Sequence, residues 1–137
     1  MRLEREFFER NTIDVAKELF GKVIVYRGLS GIICETEAYR GEDDDACHAA
    51  RGMTPRNKPM FGRGGFSYIY FIYGMYHCLN ITTEEEGYPA AVLIRGIQPL
   101  DGKEEMIRNR AGKKKLADGP GKLCQAFQLT KEQNNLD

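Results

Sequence analysis

No stretch of this sequence approaches the roughly 20 consecutive apolar residues that a membrane-spanning helix needs, so no membrane contact is expected. The opening residues, Met1 to Thr12, are charged and contain no apolar signal core. The four cysteines, Cys34, Cys47, Cys78 and Cys124, include no C-x-x-C pair. That excludes a disulfide framework and leads us to expect reduced thiols in a cytoplasmic setting. A net charge is missing as well, with 20 Lys and Arg against 20 Asp and Glu. Bulk charge therefore announces no polyanionic partner. Internal repeats and low-complexity segments are absent. What remains is 137 residues, enough for one domain that buries roughly two thirds of its unfolded surface.

Charge is unevenly distributed within this neutral total. Glu35 to Asp45 holds six acids and one base, Arg51 to Arg63 four bases and no acid, and Lys103 to Lys122 seven bases and three acids. Local basic patches matter more than net charge for contact with nucleic acid, although solvated surface is the commoner meaning of such runs.

The densest feature is Phe66 to Ile81, rich in aromatic and β-branched residues and interrupted by Gly74. It predicts two strands, about 67–72 and 76–81, joined by a tight turn at the glycine. Tyr73, Met75 and Tyr76 then lie at or beside the tip, where polar residues are usual. Upstream, residues 12–20 predict a helix capped by Asn11 or Thr12, with Ile13, Ala16, Leu19 and Phe20 on its core face. A hairpin follows: Lys22 to Arg27, a turn over Gly28 to Gly31, and Ile32 to Tyr39. Residues 43–50, which include His48, can form a short helix with acids at its N-terminus. Arg51 to Gly65 is loop, too basic for idle filler. Ala90 to Ile97 is a strand in which Gly96 permits close approach of another backbone. Asp101 is placed to cap a helix over 103–110, with Glu104 completing the pair. Gly119-Pro120-Gly121 opens a further helix that buries Leu123, Ala126 and Phe127.

Alternation within 32–39 puts Ile33, Glu35, Glu37 and Tyr39 on one face. Two carboxylates are poor core filling. Either this face meets solvent while Ile32, Cys34, Thr36 and Ala38 pack inward, or one carboxylate lines a pocket. Cys47-His48 and His77-Cys78 raise the question of zinc. Neighbours on a strand point to opposite faces, so His77 and Cys78 are ill placed for one ion, and no metal or other cofactor is expected. A strand carboxylate, a set of aromatics and basic loops together suggest chemistry on an unstacked base. Such an enzyme rotates the base out of the duplex, grips it between rings and fills the gap.

Several segments carry a family resemblance. These are Glu35-Thr36-Glu37-Ala38-Tyr39, His48 with Met53-Thr54-Pro55-Arg56-Asn57, Tyr70 to Tyr76 through Asn80, Val92-Leu93-Ile94-Arg95, and Gly119-Pro120-Gly121-Lys122-Leu123-Cys124-Gln125-Ala126. In this order and with similar spacing, from about residue 8 onward, they resemble the alkyladenine (3-methyladenine) DNA glycosylase family of the methylpurine type. The resemblance implies an α+β fold: a single compact domain with a curved, mainly antiparallel sheet flanked by helices and a projecting aromatic β-hairpin. Residues 1–137 would form one glycosylase-like domain lacking the C-terminal segment with which family members continue.

By the same resemblance the protein is a monofunctional hydrolase without AP lyase activity. It would act as a monomer on double-stranded DNA containing damaged purines and initiate base excision repair in the cytoplasm (at the nucleoid if bacterial). Glu37 resembles the general base that activates water, and Arg95 the residue that helps hold Glu37 and that water. Tyr39, His48 and Tyr70 resemble the walls around the flipped base, Asn80 the residue that disfavours guanine, and Tyr73 the intercalating wedge. Because Tyr39 and Glu37 share a face, Glu37 is the nearer acid to a base stacked on Tyr39, and Glu35 is expected to pair with a basic side chain. No lysine lies in the pocket segments, in keeping with water as nucleophile. The alternative is a catalytically weak or silent lesion-binding fragment, against which Glu37 itself argues.

Overall fold

The computed structural model describes residues 2–40, 58–72, 76–113, 115–134 and 136. Its elements are α1 (Arg5–Phe8), α2 (Thr12–Leu19), β1 (Val23–Tyr26), β2 (Leu29–Arg40), β3 (Ser67–Ile72), β4 (Tyr76–Thr82), β5 (Ala90–Pro99), α3 (Lys103–Asn109) and α4 (Pro120–Phe127), with short 3-10 turns at Lys58–Phe61 and Lys131–Gln133. The strands form one antiparallel sheet in the order β1-β2-β5-β4-β3. This is the expected α+β domain. The segment holding Cys47 and His48, and the hairpin tip holding Tyr73, lie outside the described residues.

Helix α2 starts where Asn11 predicts, its side chain accepting from the N–H groups of Ile13 (3.0 Å) and Asp14 (3.3 Å). Its buried stripe is Thr12, Val15, Ala16 and Leu19. Ile13 and Phe20, expected on the core face, are instead 41% and 63% exposed. Thr12 takes that face because its hydroxyl bonds Thr83 and the Glu84 carboxylate. The β1–β2 turn is shorter than expected. Arg27 and Gly28 both have positive φ and Tyr26 pairs with Leu29, the two-residue hairpin geometry whose twist suits antiparallel strands. Strand β2 therefore begins at Leu29. Asp101 does not cap α3. Gly102 occupies the cap position in a left-handed conformation, while the backbone of Asp101 exchanges hydrogen bonds with Ser30.

One face of the sheet carries the main core. Ile33, Ile69, Leu79, Val92, Ile94 and Ile97 meet Val15, Ala16 and Leu19 of α2, Met106 of α3, and Leu123, Cys124, Ala126 and Phe127 of α4. Burying apolar surface at about 25 cal/mol per Å² makes this face the principal source of stability. The opposite face carries a smaller cluster, Met60, Phe61, Tyr68 and Ala91, with Tyr39 and Tyr70 packed on it. The outer edge of β3 is covered by the end of the chain. Its Ser67 N–H donates to Leu136 O (2.8 Å), its Ile69 N–H to Asn134 Oδ1, and its Ser67 Oγ to Gln133 O. Satisfied edge groups do not template further pairing.

Alternation along β2 is interrupted. The register runs Ile33↔Ile97, then Glu35↔Gly96, then Thr36↔Ile94. Cys34 is thus an extra residue on β2 and Arg95 an extra residue on β5, a pair of bulges set against each other. Ile33 lies in the core, and three residues on, Thr36 faces the same way, donating to Ala16 O of α2 at 2.9 Å. The expectation that Ile33 shares a face with Glu35, Glu37 and Tyr39 is therefore corrected: each bulge shifts the side-chain parity by one. Cys34 is exposed rather than packed inward.

Candidate active site

The smaller face gathers the sequence-predicted residues that lie in the described structure. Register places Tyr68, Asn80, Leu93 and Glu37 in one row across β3, β4, β5 and β2. With neighbouring strands about 4.8 Å apart, Asn80 and Glu37 stand on the order of 10 Å from each other. One residue pair along, Tyr70 is opposite Cys78, and Arg95 emerges from its bulge. In the other direction Tyr39 pairs with Ala91. Tyr39 and Tyr70 thus flank the row from opposite corners while packing on the same apolar cluster.

Glu37 is the hub. Arg95 Nη1 donates to its Oε2 at 2.9 Å, and the Tyr39 hydroxyl donates to its Oε1 at 3.0 Å. Arg95 Nε lies 3.4 Å from Glu35 Oε1, so the basic partner expected for Glu35 is Arg95. Glu37 and Arg95 are 44% and 40% exposed, open enough for a substrate to reach the carboxylate. Burial, together with the hydrogen bond to Glu37 and its negative charge, pushes the Tyr39 phenol up to about 12, against a smaller pull from Arg95. At neutral pH Tyr39 is therefore a proton-bearing donor. Cys78 is buried beside this cluster, its thiol raised by burial and pulled the other way by Arg95.

Asn80 is buried, and its Nδ2 donates to Tyr68 O (3.2 Å) and Cys78 O (3.4 Å). The side chain is held by backbone and has little freedom to yield. Tyr68 is fully buried and meets Tyr70 edge-on at 5.9 Å. The sequence reading missed Tyr68, Met60 and Phe61 as the floor of this face. The alternation of Tyr68 with Tyr70 on one strand was the available signal. His77 stacks on Phe71 at 4.6 Å, while Cys78, its neighbour, turns toward Arg95 on the site face. Their side chains diverge as strand alternation requires.

A cavity of about 990 Å³ opens on the other face, lined by Leu19, Ile33, Leu79, Ile81 and Phe127 among others, with no carboxylate in its wall. It is largely apolar, whereas the carboxylate, guanidinium and phenol of the Glu37 cluster converge on the opposite face.

The family model for methylpurine-DNA glycosylase (MPG) matches residues 6–137. A relative from Sodalis glossinidius named "Putative 3-methyladenine DNA glycosylase" is 54% identical over 135 residues, covering 98% of this chain and 74% of its own length. Relatives of the same name from Ehrlichia chaffeensis and Methanocella arvoryzae are 54% and 51% identical. Each match covers 98% of this chain and 71% of the relative.

Proposed function

The chain belongs to the methylpurine-DNA glycosylase family, and from that premise we propose that it flips a damaged purine nucleotide out of duplex DNA and hydrolyses its N-glycosidic bond with a water activated by Glu37. The observation that carries this reading is the pairing of Glu37 with both Arg95 Nη1 and the Tyr39 hydroxyl on an open face. A positioned carboxylate can act as a general base. It takes a proton from water as the water oxygen bonds to C1′ and the bond from C1′ to the base breaks. The bonding pair goes with the purine, so a cationic alkylated base leaves neutral and a deaminated one takes up a proton as it leaves. An abasic site remains.

The other residues fit the same reading. Tyr39 and Tyr70 are rings at opposite corners of the face, suited to hold a flat base. Stacking contributes on the order of 1–3 kcal/mol per base, and a cationic alkylated purine gains further over an electron-rich ring. Asn80, fixed by two backbone carbonyls, meets the 2-amino group of guanine without room to retreat. His48 completes the walls and Tyr73 fills the gap in the duplex. The substrate is double-stranded DNA bearing alkylated or deaminated purines, bound by a monomer whose basic loops hold phosphates. The nucleophile is water, and no lyase step follows.

Glu37→Gln tests this. The isosteric amide keeps the shape and cannot take the proton, so single-turnover excision from a hypoxanthine-containing duplex should fall by roughly 10²-fold or more while affinity for that duplex persists. Near-normal turnover would sink the assignment. Binding without excision in the unaltered protein would favour the silent lesion-binder.

A further inference from the structure

Arg95 does not serve Glu37 alone. Its Nε edge lies 3.4 Å from Glu35 Oε1, while Nη1 donates to Glu37 Oε2 at 2.9 Å. One planar guanidinium thus spans two carboxylates two positions apart on β2. The paired bulges lie at this arrangement. Alternation keeps Glu35 with Glu37 on β2, and Arg95 with Leu93 opposite Glu37 on β5. The extra residues Cys34 and Arg95 let Ile33 and Ile97 turn to the core while the two acids and the arginine stay on the other face. Gly96, opposite Glu35, leaves room for its stem: a Cβ there would stand 3.3 Å from Glu35 Cβ and 3.4 Å from Cys34 Sγ.

We propose that Glu35 is a positioning residue, fixing the plane of the Arg95 guanidinium so that Nη1 is presented to Glu37. This rests on the reading of Glu37 as general base. An arginine held at one nitrogen can pivot about its long side chain. Held at Nη1 by a hydrogen bond and at Nε by an ion pair, the rigid fork is restricted to one orientation. Glu35 is 60% exposed, and an ion pair so open to water adds little to folding stability, so the effect belongs in the chemistry. Other charged or titratable groups beside the cluster, among the described residues, are Tyr39 on β2 and Cys78 on β4. Neither faces Arg95 with a negative charge at neutral pH.

The test is single-turnover excision in a double-mutant cycle. Glu35→Ala should slow excision roughly tenfold, the scale of a misplaced catalytic group, with duplex affinity within about twofold of the unaltered protein. Glu35→Asp, which keeps a carboxylate facing Nε, should recover part of the rate. In an Arg95→Ala background Glu35→Ala should add nothing, since its effect runs through the arginine. Unchanged turnover in Glu35→Ala while Glu37→Gln is inactive would overturn the proposal, as would equal losses in both backgrounds. Normal excision by Glu37→Gln would instead break the reading of the base. The geometry is then judged by the NMR resonance of the Arg95 Nε–H, which should move in Glu35→Ala. An unmoved resonance overturns it.

Discussion

The two faces of this sheet are built by different rules. The α-helical face is aliphatic packing against three helices, and each side chain there is replaceable in kind if its volume is kept. The opposite face has a small aromatic floor beneath a chain of specific contacts, Glu35–Arg95–Glu37–Tyr39. One face supplies stability and tolerates small shifts. The other sets a few polar atoms at specific distances from one another, beside two bulges and a glycine. Stability and chemistry are therefore separable by substitution.

The largest expected break is on the first face. Phe127→Ala, at a buried α4 position, should cost about 3–5 kcal/mol in denaturant unfolding, with affinity for lesion duplex per folded molecule unchanged. A pair of glycines sharpens the contrast. A Cβ at Gly31 would stand 2.1 Å from Ile97 Cγ2 and 3.0 Å from Gln98 O, so Gly31→Ala should lower stability by about 1–3 kcal/mol through overpacking. At Gly96 the contacts are looser, and Gly96→Ala should change stability by less than about 1 kcal/mol yet reduce excision, because Glu35 and Arg95 must shift. Equal stability losses at both glycines would erase the distinction.

The smallest effect is a titration. Tyr39 should ionise near pH 12 rather than 10, seen as a late step in phenolate absorbance. Glu37→Gln should bring it only partly back, since burial is the larger cause. The folded state holds this proton more tightly than the unfolded chain. Its stabilising share is complete below about pH 10 and is lost as pH rises through about 12.

Much of this was legible in the sequence. The strands of the aromatic hairpin, the Asn11 cap and the buried stripe of α4 follow from local propensity, capping chemistry and the 3.6-residue period. Glu37, Tyr39, Tyr70, Asn80 and Arg95 were named by motif, and all five reach one face. Phe20 and Ile13 were misplaced because Thr12 is drawn inward by Thr83 and Glu84, partners some seventy positions away. Asp101 failed as a cap because its backbone is engaged by Ser30, an equally distant contact.

By itself, then, the sequence pointed to most of the strands and helices and to the side chains proposed to act on a base. Only the tertiary structure decided which neighbours leave their face, Ile33 above all. Parity along β2 and β5 depends on two opposed bulges, and a bulge is a property of paired strands rather than of either strand alone. No period within 32–39 discloses that Ile33 faces the core while Glu35 and Glu37 face Arg95. Register against β5 imposes it, because the helices require Ile33, Thr36 and Ala38 on their side.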